Sequence, residues 1–274
     1  MPLPDCFKQQ EAPLIDPAFL IHEPSDVYHA QRDKYLSSHM LSDFRKCPLL
    51  YRRKQLGLIK DEDRPAYAIG RGAHTLILEG RKTYEASYAV GGPINPKTGE
   101  KYGSRTKAFD EWAVAQGKPV LTDDQALLIE SLHTSVRTHD HAAILLEDGI
   151  AEGVTRKDYC GVACQGRFDW ISPKHGLVDL KTCDSLDYLQ TDAKSYGYVH
   201  QLAFYRSLLP VQVPVYMIAV EKKEPFRCGV WRIGEDVLGI AQQDNEAAIE
   251  LLKACQKTDT WETGYEDIRT FDLI

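Results

Sequence analysis

With 274 residues, of which 43% are hydrophobic and 27% charged, the chain has the composition of an ordinary globular protein, which argues against disorder. Its formal net charge of −7 argues against a protein that coats nucleic acid nonspecifically, but an enzyme with its positive charge gathered in one channel remains compatible. No apolar run approaches the ~20 residues that span a bilayer, and the N-terminus lacks the features of a secretory signal. We therefore expect a soluble, cytoplasmic protein, in which the scattered cysteines are free thiols.

The N-terminal half is predicted to be helical after an irregular arm. Residues 1–36 contain several prolines and show no clear period, so we assign them to the arm. A helix is predicted to begin at Ser37 or Ser38, which can cap it, and to end or bend at Pro48. Further helices are predicted at 68–79, 104–116 and 123–146, the last of them capped by Thr122, and an exposed loop is predicted at 91–106.

The pattern changes from helical to strand-like near residue 151. Strands are predicted at 151–158, 162–171, 177–182, 213–220 and 229–233, and helices at 193–209 and 235–256. Residues 37–274 are accordingly predicted to form a single domain with a helical part (37–150), a sheet core (151–233) and a C-terminal helix (235–256). This order of elements is typical of an α/β or α+β protein.

Two acidic residues and a lysine in the sheet core form the pattern that carries chemistry. Side chains alternate along a strand, so Asp179 and Lys181 share one face about 6.5–7 Å apart, while Leu180 faces the opposite, buried side. If the strands at 162–171 and 177–182 pair as a hairpin, Asp169 can lie beside Asp179. The sequence therefore predicts two carboxylates and an ammonium on one surface.

Such a surface can hold a divalent cation beside a phosphate. Magnesium is bound through one or two carboxylates together with water and substrate phosphate, and it can lower the pKa of an attacking water. A nearby lysine can offset the charge that develops on the phosphate. The alternative is structural, because an Asp-x-Lys on a strand is common and usually forms a surface ion pair.

Five sequence elements, in order, resemble the PD-(D/E)xK nuclease superfamily and, within it, the phage-type 5′–3′ exonucleases of the exonuclease VIII (RecE) group. The resemblance runs from about Ser37 to the C-terminus. The elements are an opening at Ser38, Phe44, Cys47, Pro48 and Tyr51; a Gly-x-x-x-His helix at Gly70 and His74; Gly166, Arg167 and Asp169; Asp179, Lys181 and Thr182; and a Gln-x-x-x-Tyr helix at Gln201 and Tyr205.

The resemblance implies a restriction-endonuclease-like core, in which a central mixed sheet is flanked by helices, and it assigns roles to individual residues. It implies that Asp169 and Asp179 bind Mg²⁺ (with Mn²⁺ able to substitute), together with His74 and the carbonyl of Leu180. Lys181 would be the catalytic lysine. Gln201 and Tyr205 lie one helical turn apart, on a face that borders the active site in the family. The alternatives are that His74 packs against the sheet and that Tyr205 is a core-edge aromatic residue.

The chain also departs from the family pattern. Phe168 stands where the metal-binding motif usually has proline. Glu152 could be a further acidic member of the site, but the register of its strand is open at this stage. An iron–sulfur cluster, found in some related nucleases, is not expected, because only Cys47, Cys228 and Cys255 flank the core at suitable distances.

The resemblance also implies a substrate and partners. We expect double-stranded DNA ends as the substrate, a homo-oligomeric ring, a single-strand annealing protein as a partner, and a location in the cytoplasm of a bacterial or phage-infected cell. Arg45, Arg52, Arg53 and Lys54 are candidate phosphate contacts, with a solvated helix end as the alternative. An endonuclease, a repair-associated nuclease and a non-catalytic DNA-binding protein remain alternative functions.

Overall fold

The N-terminal half of the protein is helical in the computed structural model, which describes residues 12–61 and 65–270. Ser37 caps the second helix, and Thr122 forms a capping box with Gln125 at the start of the seventh, so both predicted caps are confirmed. The helices are α1 (Ser25–Ala30), α2 (Ser38–Lys46), α3 (Pro48–Gln55), α4 (Pro65–His74), α5 (Arg81–Ser87), α6 (Lys107–Gln116), α7 (Asp123–Thr138) and α8 (Asp140–Leu145), and the short strands β1 (Ala89–Val90) and β2 (Val120–Leu121) pair in parallel.

Within the described residues, a five-stranded mixed sheet forms the centre of the C-terminal half. Its strands lie in chain order: β3 (Ile150–Tyr159), β4 (Val162–Ser172), β5 (Gly176–Cys183), β6 (Val215–Glu221) and β7 (Cys228–Arg232). Strands β5 and β6 are parallel, and the other neighbours are antiparallel. The connection between β5 and β6 contains the helices α9 (Leu189–Tyr196) and α10 (Tyr198–Leu208), and α11 (Glu235–Thr258) follows the sheet. The predicted mixed sheet flanked by helices is confirmed.

Helices cover both faces of the sheet and form two apolar layers. One layer lies between the sheet and the helices α2, α10 and α11, and the other lies between the sheet and the helices α4, α7 and α8. Strand β5 contributes to both, because Leu177 belongs to the first layer while Val178 and Leu180 belong to the second. This alternation confirms that Leu180 faces away from the side of Asp179 and Lys181.

Two helices that the sequence predicts as continuous are interrupted. The helix predicted at 123–146 breaks at His139, which has extended backbone and whose ring nitrogen accepts a hydrogen bond from the amide of Ala142 to start α8. The helix predicted at 193–209 begins at Leu189 and is interrupted at Gly197, whose left-handed backbone ends α9. Helix α4 continues into a π-helical turn at Thr75–Glu79. No helix in the described part of the chain has the length and apolar character needed to cross a membrane.

The N-terminal segment packs against the β3–β4 hairpin. Ile21 bridges to Val154, and Leu36 bridges to Cys164. Leu20 lies against Gly153, where a Cβ atom would come within 2.8 Å of its side chain, so a larger residue at 153 would displace it. Residues 1–11 of the predicted arm lie outside the described residues, and the described remainder contains a 3₁₀ turn at Pro17–Phe19 and helix α1.

Candidate active site

Two tight turns fix the alignment of three acidic residues across the sheet. Tyr159 pairs with Val162, so the β3–β4 turn consists of Cys160 and Gly161, whose φ angles of 54° and 74° are those of a two-residue hairpin turn with both central residues at positive φ. Counting from this turn along the observed register places Glu152 across from Asp169. Ser172 of β4 pairs with Gly176 of β5, so the second turn consists of residues 173–175. Trp170 pairs with Val178, and continuing this register by one residue places Asp179 across from Asp169.

The backbone ladders open at the level of these carboxylates. The β3–β4 pairing skips Glu152 and Asp169, although the pairs on both sides are formed, and Glu152 has a φ of 55°. The β4–β5 pairing ends at Trp170–Val178. Beyond that point the amide of Leu180 donates a hydrogen bond of 2.8 Å to Oδ2 of Asp169, so a side chain replaces the backbone acceptor. Strands β4 and β5 therefore separate at Asp169.

Asp179 and Lys181 form an ion pair inside this opening. Their Oδ2 and Nζ atoms lie 2.8 Å apart, as expected from their shared strand face. Asp179 is 1% exposed, and among the described residues no group forms a hydrogen bond of standard geometry with either of its carboxylate oxygens. Burial raises the pKa of Asp179 to about 6, although Lys181 acts in the opposite direction. For Lys181, burial opposes the charged form, but the Asp179 and Asp169 carboxylates outweigh it and keep its pKa above the ordinary value.

Helix α10 also contacts the ammonium of Lys181 that pairs with Asp179. The Nζ atom of Lys181 donates to Oε1 of Gln201 at 3.3 Å, and Nε2 of Gln201 donates to the hydroxyl of Tyr205 at 3.0 Å. The ring of Tyr198 lies below the ammonium, 5.0 Å from Nζ to the ring centroid. Burial raises the pKa of Tyr205, so its hydroxyl stays protonated. Gln201 contacts the ammonium directly, and Tyr205 orients Gln201.

His74 and Glu152 complete the cluster around Asp169. Nδ1 of His74, the last residue of α4, lies 3.5 Å from Oδ2 of Asp169. Glu152 pairs with Arg167, whose Nε atom lies 2.9 Å from its Oε2. Burial first, and then the charge of Asp169, raise the pKa of Glu152 to about 8. The potential ligand atoms of His74, Glu152 and Asp169 all lie within 4.8 Å of one another.

The sequence matches, over residues 37–272, the model of a family described as "PDDEXK-like domain of unknown function (DUF3799)". The chain belongs to this PDDEXK-like family. The match covers most of the chain and confirms the predicted superfamily, whereas the RecE-type subgroup stays a prediction.

The fold of the PDDEXK-like protein also occurs among solved structures. A crystal structure of a "putative exonuclease" from Eubacterium rectale superposes with a TM-score of 0.66 at 12% sequence identity, and the alignment covers 93% of this chain and 97% of the other. At this identity the similarity establishes the fold. No curated protein matches the chain.

The donor set of the PDDEXK-like site fits a divalent metal ion. One imidazole nitrogen and two carboxylates lie within reach of a common point, and the buried oxygens of Asp179, without hydrogen bonds from the described residues, lie in the same opening. Carboxylate oxygens are the ligands that Mg²⁺ and Mn²⁺ prefer, and a cation would offset the repulsion between them. For Leu180, the structure shows that its amide contacts Asp169, while the role of its carbonyl as a ligand stays a prediction.

Three of the four predicted DNA contacts are engaged within the protein. Arg45 donates to Asn245, and Lys54 lies 2.8 Å from Asp43 and 2.5 Å from Asp61. Arg52 lies over the ring of Trp261 and 3.4 Å from Asp259. The side chain of Arg53 is exposed and forms no ion pair or hydrogen bond with the described residues, so it is the most available of the four for a phosphate.

The sequence alone left the place of Glu152 open. A two-residue turn at Cys160-Gly161 would have fixed the register, but the predicted strand ends at residues 158 and 162 left three residues between the strands.

Proposed function

We propose that the protein is a Mg²⁺-dependent DNA exonuclease that hydrolyses phosphodiester bonds of linear double-stranded DNA in the 5′–3′ direction. The products would be 3′ single-stranded tails for phage-type recombination. One observation carries the proposal: Lys181 is fixed between Asp179 and Gln201, next to the His74–Asp169 pair, where β4 and β5 separate in a PDDEXK-like fold.

The side chains divide the work of phosphodiester hydrolysis. His74, Asp169 and Asp179 would hold the metal ion, which when bound polarises the phosphate and lowers the pKa of the attacking water. Lys181 stays charged because of its acidic neighbours, so its ammonium can stabilise negative charge on the reacting phosphate. Gln201 and the ring of Tyr198 restrict where that ammonium can lie, which reduces the reorganisation needed during reaction.

The preference for DNA ends, the polarity and the partners follow from the resemblance to RecE-type exonucleases. A homo-oligomeric ring around the duplex would keep the enzyme on its substrate through many cycles. A single-strand annealing protein would take up the 3′ tail. Arg53 is the basic residue that we assign to the DNA backbone, because it is exposed and unpaired within the described part of the chain.

Digestion of a linear duplex labelled separately at each 5′ and 3′ end tests the proposal. With Mg²⁺ we expect mononucleotides or short oligonucleotides from the 5′ label first, no cleavage in EDTA, and no cleavage of a covalently closed circle. Cleavage of the closed circle would show an endonuclease instead. Binding of duplex without cleavage of either substrate would favour a DNA-binding protein on this fold.

A further inference from the structure

We propose that Glu152 is an additional ligand of the metal ion and that Arg167 is its counter-ion when the metal is absent. The inference rests on the proposed metal-dependent function and extends the ligand set of that site. It assigns a role to Glu152, an acidic residue of β3 that none of the five sequence elements includes.

The position of Glu152 fits a metal ligand. One of its carboxylate oxygens lies within 4.8 Å of a ring nitrogen of His74 and of a carboxylate oxygen of Asp169. Asp179, by contrast, does not belong to this compact group and faces Lys181, 2.8 Å away. Glu152 is thus better placed than Asp179 to share an ion with His74 and Asp169.

The backbone of Glu152 is strained. Its φ of 55° within β3 is uncommon for a residue with a side chain, and a non-glycine residue there costs on the order of 1–2 kcal/mol. Such strained residues persist where the surroundings impose them, and they concentrate at functional sites. Here the strain coincides with the missing Glu152–Asp169 pair of the ladder and with the metal-ligand cluster.

The charges of the cluster also favour a cation. When Glu152, Asp169 and Asp179 are all ionised, their three negative charges face the two positive charges of Arg167 and Lys181, which leaves one negative charge in excess. Binding of one divalent cation changes the net charge of the site from −1 to +1. That charge is complementary to the single negative charge of a phosphodiester. Arg167 and the metal ion would compete for the same carboxylate, and the ion offers the higher charge.

A second glutamate–arginine pair that involves β3 can serve as a matched control. Glu23, from the N-terminal segment, forms a largely buried ion pair with Arg156 of β3, with side-chain exposures of 12% and 18%, compared with 18% and 20% for Glu152 and Arg167. Glu23 belongs to no group of potential metal ligands among the described residues. Substituting Glu23 therefore reproduces the loss of a glutamate–arginine pair without removing a metal ligand.

Titration of the full-length protein with Mn²⁺, followed by the electron paramagnetic resonance signal of the free ion, tests the inference. We expect Glu152→Gln to weaken Mn²⁺ binding by about tenfold or more, Glu23→Gln to change it less than twofold, and Arg167→Met to leave it unchanged or tighten it. Thermal unfolding in EDTA verifies that each variant is folded. Wild-type Mn²⁺ affinity in a folded Glu152→Gln variant would overturn the inference.

The double variant Glu152→Gln/Arg167→Met separates ligation from an indirect effect. In Glu152→Gln alone, the unpaired Arg167 could repel the metal ion. If Glu152 is a ligand, the double variant binds Mn²⁺ as weakly as Glu152→Gln; recovery of wild-type affinity would overturn the inference.

Weak binding by both variants without DNA cleavage by the wild type would refute the nuclease function alone. Cleavage by the wild type with normal Mn²⁺ binding by Glu152→Gln would refute only the role of Glu152.

Discussion

Asp179 combines deep burial with an incomplete set of partners. Its carboxylate is almost inaccessible to solvent, its oxygens accept no standard hydrogen bond from the described residues, and Lys181 provides the nearby charge. Removing a carboxylate from water costs several kcal/mol unless other interactions compensate. Its position at the sheet opening is therefore better explained by the chemistry of the site than by stability.

We expect Asp179→Ala to abolish cleavage, with a loss of at least about a thousandfold, because it removes a predicted metal ligand and the counter-ion of Lys181. Duplex binding should remain within a few-fold of wild type, since Asp179 is buried and offers nothing to the DNA backbone. Single-turnover digestion and fluorescence anisotropy with Ca²⁺ in place of Mg²⁺ measure the two properties. Wild-type turnover by this variant would refute the site assignment.

Lys181→Met should reduce the cleavage rate by about 10²–10⁴-fold while metal binding persists, because the lysine stabilises charge without ligating the ion. Lys157→Met is the matched control, since Lys157 on β3 donates to the backbone carbonyls of Ser207 and Leu209, away from the cluster. Rates measured at saturating Mg²⁺ isolate the chemical step. Equal losses in the two variants would point to a general effect of lysine removal on the fold.

At the scale of the elements, the sequence predicted most strands and helices to within a few residues, because local periodicity decides where a strand or helix runs. The interruptions at His139 and Gly197 were missed because one residue of altered backbone leaves the apolar period of the flanking segments almost unchanged. The shared face of Asp179 and Lys181 was predictable because strand parity is local.

The parts of the site that depend on distant packing were not predictable in this way. Arg45 and Arg52 resemble DNA contacts in sequence, yet their partners Asn245 and Asp259 lie about two hundred residues further along the chain. The placement of Glu152 across from Asp169 depends on the register of the β3–β4 hairpin. An error of one residue in the length of the turn changes that register.

An ion-pair network joins the end of β6 to the segment before α9 and predicts a pH-dependent stability. Glu221 accepts hydrogen bonds from Arg227 and from the amide of Leu186, and these, Arg227 foremost, lower its pKa to about 2. A lowered carboxyl pKa stabilises the folded state above the ordinary value of 4.5, and the contribution disappears as the pH falls from 4.5 towards 2.

Glu221→Gln should therefore lower the Tm by about 2–4 °C at pH 7 and by progressively less as the pH approaches 3. Thermal unfolding followed by circular dichroism across this range measures the difference. Glu130→Gln, which breaks the more exposed pair with Arg81, should change the Tm by less than about 1 °C. A difference between wild type and Glu221→Gln that stays constant with pH would contradict the assigned role of the carboxylate.

At the scale of the whole molecule, the core extends beyond the residues that match the family. The match begins at residue 37, yet Ile15, Leu20, Tyr28 and Leu36 are buried against the β3–β4 hairpin and its surroundings. Each large apolar side chain that is buried contributes about 1.5–3 kcal/mol, and a typical protein is stable by only about 5–15 kcal/mol.

A chain that begins at residue 37 should consequently be unfolded. If it does fold, its Tm should lie far below that of the 274-residue chain. Leu20→Ala should cost about 2–4 kcal/mol of unfolding free energy, because Leu20 fills the space above Gly153. Val27→Ala, at an exposed position of α1, should cost less than about 0.5 kcal/mol. Urea unfolding measures both variants, and a shortened chain with the wild-type midpoint would show that the segment is dispensable.

The two-residue turn at Cys160-Gly161 also restricts how this protein can change in length during evolution. Seven residues separate the turn from Glu152 on β3, and seven separate it from Asp169 on β4. A single insertion or deletion in either arm would move these carboxylates out of alignment and turn one of them to the other face of the sheet. The arms can therefore gain or lose residues only in compensating pairs, so we expect length variation to accumulate in loops such as 91–106 and to be excluded from this hairpin.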